Sequence, residues 1–247
     1  MIQPFEASGF QLEITADGSP TLRHKLLGES MHHSHGAAAE TWYIYGQIMK
    51  RVLQAAAIEK KPLQICNIGL GLGYIEMAFA GLNSEMQKFH LDSFEIIAEL
   101  QTRFKLWYQQ QQASEFDPVY TLACNKLLSI DLGLLENDLK NQLQLSQINY
   151  HADILNFKES RQWNVVCFDA FSKKSSENLW TTDFLDNFLS KYTAGDCVFT
   201  TYACTSILKE TLKKNNFTVI KRSGFSGKRE CTLATRGDFM NRAFQTF

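Results

Sequence analysis

Leu63-Gln-Ile-Cys-Asn67-Ile-Gly69-Leu-Gly71-Leu-Gly73-Tyr74-Ile-Glu-Met-Ala-Phe-Ala80 decides the fold. The apolar run 63–68 reads as a strand buried on both faces, and 74–80 carries helical spacing. Between them stand three glycines, which let the backbone turn sharply and approach a bound molecule, while the following helix offers unpaired N–H groups at its start. A glycine-rich turn without a ligand is the plainer reading; the strand before it and the helix after it favour binding. The spacing Gly69-x-Gly71-x-Gly73 departs from the dinucleotide pattern Gly-x-Gly-x-x-Gly, and position 74 is the bulky Tyr74. It therefore favours S-adenosylmethionine over a nicotinamide dinucleotide.

Outward from this stretch, short apolar runs at 89–95, 164–168, 196–202 and 217–221 alternate with helical stretches, and a last run at 230–235 is placed to return antiparallel. This grammar predicts an α/β, Rossmann-like fold, a mostly parallel seven-stranded sheet flanked by helices. Upstream, alternation over 11–15, turn residues at 16–19 and a second run from Thr21 predict a β-hairpin appendage, followed by an amphipathic helix over 36–57. The insert 114–146 reads as one or two helices over the sheet. We expect residues 1–60 to pack as an N-terminal unit on a core spanning 61–247, in one compact body.

Composition narrows the class further. With 45% apolar and 21% charged residues among 247, the chain is an ordinary globular protein. A net charge of −1 gives no global signature for nucleic acid, which leaves room for a local basic patch. Six cysteines without a Cys-x-x-Cys pair point to reduced, mostly buried thiols. No run is long and apolar enough for a membrane span, and 1–10 lacks the marks of a signal peptide, so a cytoplasmic location is expected. His32, His33 and His35 match no standard metal spacing, so no metal is expected.

Acidic residues at predicted strand ends carry the chemistry. Glu95 stands where a carboxylate accepts bonds from ribose hydroxyls, although a solvated charge would look the same. Asp153 follows a third run and sits near the adenine position or caps a helix, two readings that stay open. Asp169 ends the buried run Val165-Val-Cys-Phe168, at the sheet edge where open α/β folds bind ligands, and is the candidate to orient an amine and take its proton. For RNA contact the candidates are Lys173, Lys174, Lys228 and Arg229, with Phe171, Trp180 and Phe225 available for stacking. Solvated lysines and a core Trp180 are the competing readings.

Several separated motifs together resemble the methyltransferase half of the MnmC family. They are Asp17-Gly-Ser-x-Thr21, Glu29-x-Met31-His32, Gly36-Ala37, Glu40-Thr41, Phe168-Asp-Ala-Phe-Ser172 with Leu179-Trp-Thr181, Thr201-Tyr202 and Gly227-Lys-Arg-Glu230. The resemblance spans 17–236. It implies an S-adenosylmethionine-dependent methyltransferase of the class I fold that methylates the aminomethyl group of 5-aminomethyl-(2-thio)uridine at the tRNA wobble position. Carried across by motif, Asn67, Gly69, Gly71, Gly73, Glu95 and Asp153 would line the cofactor, Asp169 would face the amine, and Met31, His32, Phe171, Lys228 and Arg229 would meet the substrate. The implied partners are the tRNA anticodon loop and, because the family's full-length members carry an FAD-dependent oxidoreductase domain, a separate oxidoreductase.

The chain also departs from that pattern. Asn67 replaces an acidic residue, Leu72, Tyr74 and Ile75 stand in the family's Gly-Thr-Gly-Leu-Asn stretch, and Cys204 and Thr205 replace a common lysine and glycine. Lys173 and Glu177 occupy two expected proline positions, which predicts a less constrained loop after Asp169. Two other readings remain open: a methyltransferase or aminopropyltransferase of a small amine, and a non-catalytic module with a degenerate cofactor pocket.

Overall fold

The computed structural model describes residues 5–83, 89–111 and 113–245, so 1–4 of the predicted N-terminal unit and of the segment read for a signal peptide lie outside the described residues. Strands β1 (Phe10–Ile14), β2 (Pro20–His24) and β3 (Glu29–Ser30) form an antiparallel sheet, one strand more than the predicted hairpin. The turn between β1 and β2 also serves a distant helix. Asp17 and Ser19 side chains accept the N–H groups of Ala37, Ala38 and Ala39, the unpaired donors at the start of α1 (Ala37–Thr41). The motif Asp17-Gly-Ser19 is thus a helix cap supplied from outside the helix.

The single helix predicted over 36–57 is wound in three parts. Between α1 and α2 (Gln47–Glu59), Trp42–Gly46 forms a π-turn. Apolar spacing does not distinguish an α-turn from one carrying an extra residue. Lys60, in the left-handed region, ends the helix before Pro62.

The main sheet is built from β4 (Leu63–Ile68), β5 (Phe89–Phe94), β6 (Gln147–His151), β7 (Trp163–Phe168), β8 (Thr193–Thr201), β9 (Thr218–Arg222) and β10 (Cys231–Arg236). Its order is β6-β5-β4-β7-β8-β10-β9, parallel from β6 to β8, with β10 antiparallel to both neighbours as expected. The helices are α3 (Tyr74–Leu82), α4 (Ala98–Gln109), α5 (Asp117–Asp131), α6 (Glu136–Leu145), α7 (Thr182–Tyr192), α8 (Ser206–Lys214) and α9 (Asp238–Ala243). Helices α5 and α6 fill the predicted insert.

Central strands bury both faces, which is why they read as predominantly apolar runs. Ile65, Val165 and Val198 lie in register and point into the cluster beneath the N-terminal strands and α1–α5. Their neighbours Cys66, Val166 and Phe199 point the other way, against α7 and α8. All six cysteines are free, five of them buried. No helix among the described residues is long and apolar enough to cross a membrane. The order reverses at β4, whose neighbours β5 and β7 lead away on opposite sides, so the loops after β4 and β7 part there and open a crevice.

Candidate active site

That crevice is an open cavity of about 490 Å³ and is not filled by side chains. It lies at the carboxyl ends of the parallel strands, between the glycine loop after β4, Glu95 after β5, Asp153 after β6 and Asp169 after β7, with residues 28–34 from the N-terminal sheet as its roof.

Gly69 is required by crowding. At φ +103° its backbone lies so close to the next strand end that a Cβ would sit 2.5 Å from the Asp169 carbonyl oxygen. Gly73 faces away from the cavity; a Cβ there would strike the Phe104 ring at 2.4 Å, so this third glycine serves helix packing. Gly71 N–H donates to Glu95 Oε2 (3.1 Å), and Ile97 N–H donates to Glu95 Oε1 (3.0 Å). Burial raises the Glu95 carboxyl above its ordinary value, opposed by these backbone bonds. Glu95 thus ties the glycine loop to the end of β5, and a carboxylate's remaining lone pairs stay available on the cavity side.

Asp169 stands on the cavity wall, its N–H bonded to the Ile68 carbonyl (2.8 Å). Its Oδ1 accepts a 2.6 Å hydrogen bond from Tyr45 Oη on the π-turn. Burial pushes the Asp169 carboxyl well above the carboxylate range, Tyr45 opposes that, Glu40 and Glu76 add to it, and Lys228 opposes it. Glu40, buried on α1 and also on the wall, accepts from His33 N–H (2.6 Å) and pairs with Lys228 Nζ at 3.1 Å.

The loop after Asp169 is constrained in another way than by proline. Glu29 accepts from Ser172 N–H and Oγ (3.1 Å each) and from Ser175 Oγ; Tyr202 Oη donates to the Ala170 carbonyl (2.9 Å), and Trp180 Nε1 to the Phe171 carbonyl (2.7 Å). This clamp, which reaches across from β3, holds the loop where two prolines were expected to constrain it.

Residues 96–237 match the family model described as S-adenosyl-L-methionine-dependent methyltransferase, more than half of the chain. The chain belongs to this family. A relative from Methanocaldococcus jannaschii, the uncharacterized protein MJ0670, is 25% identical over 223 residues, which is 89% of this chain and 58% of that protein. The chain thus spans less than two thirds of that relative's length. The crystal structure of MnmC2 from Aquifex aeolicus superposes with a TM-score of 0.62 at 22% identity, covering 92% of this chain and 69% of the other. The likeness to MnmC-like methyltransferases read from the motifs stands.

The methyltransferase's residues suit its cofactor. Phe94, Ile96 and Ile154 line the cavity as an apolar slot that would take a flat adenine, Glu95 is the carboxylate that would accept from a diol, and Gly71 keeps open a space that a Cβ would narrow to 3.2 Å from Met31 Sδ. The volume lies within the roughly 300–1,000 Å³ of pockets that enclose molecules of this size. Met31, His32, Phe171 and Lys228 join Gly69, Gly71, Glu95, Asp153 and Asp169 on the wall. Burial lowers His32 to about 4, and its Nδ1 pairs with Thr21 Oγ1 at 3.0 Å. The Asp153 carboxylate caps the short helical turn at 154–156, accepting from Leu155 N–H at 2.9 Å.

Asn67, Gly73 and Arg229 are not on the cavity wall. Asn67 is fully buried beneath the loop, donating to Glu76 Oε1 (2.7 Å) and the Gly69 carbonyl (3.3 Å). The acid absent at 67 is therefore present at 76, on α3, where burial raises it to about 7. Arg229 is exposed, and Trp180 packs against Phe168 in the core. Glu29 and Glu40 stood in the motifs without a role of their own, and Tyr45 and Glu76 were not singled out as site residues by the sequence. Of the latter two, Glu76 alone had a local signal, a carboxylate in an otherwise apolar helix.

Proposed function

We propose that this methyltransferase transfers a methyl group to the primary amine of 5-aminomethyl-(2-thio)uridine at the wobble position of tRNA. The observation that carries the reading is Asp169, a carboxyl on the wall of the cofactor-sized cavity, with a second carboxylate, Glu40, on the same wall. Two acids suit an acceptor that arrives as an ammonium ion. An alkylammonium has no lone pair and must lose a proton before it can attack. A carboxyl raised by burial is a better proton acceptor near neutral pH than an ordinary aspartate, so Asp169 both holds the amine and takes its proton. Lys228, beside these acids, adds positive charge that favours the neutral amine. S-adenosylmethionine, when bound, supplies a methyl already activated by its sulfonium, which leaves the chain the work of positioning.

In this reading Gly69, Gly71, Glu95 and Asp153 hold the cofactor, Met31, His32 and Phe171 receive the base, and exposed Lys173, Lys174 and Arg229 meet the anticodon-loop phosphates. A separate FAD-dependent oxidoreductase supplies the aminomethyl intermediate, both act in the cytoplasm, and units 1–60 and 61–247 work as one body. The test is incubation with methyl-labelled S-adenosylmethionine and tRNA carrying 5-aminomethyl-2-thiouridine. Label in the wobble nucleoside is expected; label entering only small amines rejects the RNA acceptor.

A further inference from the structure

The π-turn at Trp42–Gly46 is the one irregular turn in an otherwise regular helix, and it delivers a side chain to the cavity's key carboxyl. An extra residue in a turn rotates the helix segment before it by about 100° relative to the segment after it. Here the widened turn is braced from outside. The Ile44 carbonyl accepts from Thr200 Oγ1 on β8 (2.9 Å) and from the Arg222 guanidinium on β9 (3.2 Å). Arg222 also bonds the Tyr43 carbonyl and Gln47 Oε1 (2.9 Å), and lies over the Tyr43 ring at 4.2 Å. Buried and bonded both within the turn and to the first residue of α2, Arg222 fixes the segment that carries Tyr45. The Tyr45 ring is itself buried, its phenol 2.6 Å from Asp169 Oδ1, with the Phe168 carbonyl at 3.5 Å. Asp169 Oδ2 has no hydrogen bond among the described residues.

We propose that Tyr45 is a positioning residue for methyl transfer: its phenol, aimed by the braced π-turn, pins Oδ1 of Asp169 and leaves Oδ2 to the acceptor amine. The proposal rests on the reading of Asp169 as the group that faces the acceptor. Tyr45 serves two ends at once. It fixes the rotamer of a short acid at a strand end, and it supplies a hydrogen bond that favours the ionised form of this half-buried group. Burial holds the phenol itself neutral, so it remains a donor across the working pH range. The charged and titratable groups facing Asp169 are Glu40 from α1, Glu76 from α3, Tyr202 after β8, Lys228 before β10 and Cys167 on its own strand. Among these, Tyr45 alone makes a hydrogen bond to the carboxyl.

The decisive experiment is a carbon-13 NMR titration of the Asp169 carboxyl in the full chain without acceptor, assigned by its loss in Asp169→Asn. Loss of a hydrogen bond to a charged group should raise the midpoint in Tyr45→Phe by roughly one to two pH units. A fluorinated tyrosine at position 45 keeps the shape and strengthens the donor, and should lower the same midpoint. The acid limb of the methyl-transfer profile in Tyr45→Phe should move up by the same interval, so that the loss near pH 7 is recovered at higher pH. A midpoint indifferent to both changes overturns the proposal, as does a rate loss uniform across pH, which is the mark of a merely structural tyrosine. Because the NMR measurement uses no acceptor, failure to methylate tRNA would reject the acceptor reading and leave this result standing.

Discussion

Glu76 should destabilise the fold as its carboxylate forms, and its replacement by glutamine should stabilise the protein at alkaline pH. The side chain is fully buried; Oε1 accepts from Asn67 Nδ2 (2.7 Å) and Ser93 Oγ (2.6 Å), while Oε2, like the Asn67 Oδ1, has no partner among the described residues. Burial lifts the group from 4.5 to about 7. A carboxyl raised in the folded state binds more protons folded than unfolded, so stability is full below pH 4.5 and is lost as pH rises toward 7. A rise from 4.5 to about 7 corresponds to about 3 kcal/mol. Glutamine keeps the volume, accepts the same two bonds through its carbonyl oxygen, and places an amide donor where Oε2 now stands without one. Glu76→Gln should therefore gain about 1–3 kcal/mol at pH 8, or roughly 3–10 °C in Tm, and nothing near pH 4.5. Thermal unfolding of both proteins across pH 4.5–8.5 checks this. Parallel curves, or a variant less stable at pH 8, would refute the assignment of a buried, neutral-range carboxyl to this position.

Other expectations come from the same geometry. Asp169→Asn should lower kcat about 10²–10⁴-fold, as loss of a proton acceptor does, with the calorimetric affinity for S-adenosylmethionine kept within a few-fold. Glu95→Gln should weaken that affinity by tenfold or more, because the neutral amide accepts the Gly71 and Ile97 N–H groups less strongly and offers a poorer partner to a diol; unchanged heats would remove Glu95 from the cofactor site. Gly69→Ala should impair both cofactor binding and stability, since its Cβ would meet the Asp169 carbonyl at 2.5 Å and the left-handed backbone is strained for alanine; a fully active variant would show that the two loops separate freely.

The sheet was readable in the sequence because its central strands are buried on both faces, so 63–68 and 164–168 appear as predominantly apolar runs followed by glycine or acid. The reversal of strand order at β4 and the strand-end positions of Glu95 and Asp169 are consistent with that grammar. Asn67 illustrates where it stops. Its place in the motif is right, yet its side chain points beneath the loop because a buried carboxylate on α3 holds it there. The partners of Tyr45, Glu40 and Glu29 were hidden for a different reason: each reaches its partner across more than 120 residues of chain, from the N-terminal layer to Asp169, Lys228 and Ser172. No local pattern encodes those meetings. The π-turn was equally hidden, since 42–49 keeps its apolar spacing whichever way the turn is wound.

The most direct measurement is mass spectrometry of wobble nucleosides in tRNA from a strain that lacks this chain. Accumulation of 5-aminomethyl-2-thiouridine with loss of its methylated form, restored by the wild-type chain and not by Asp169→Asn, is the predicted result. An unchanged nucleoside profile, or restoration by the Asp169 variant, would contradict the assignment.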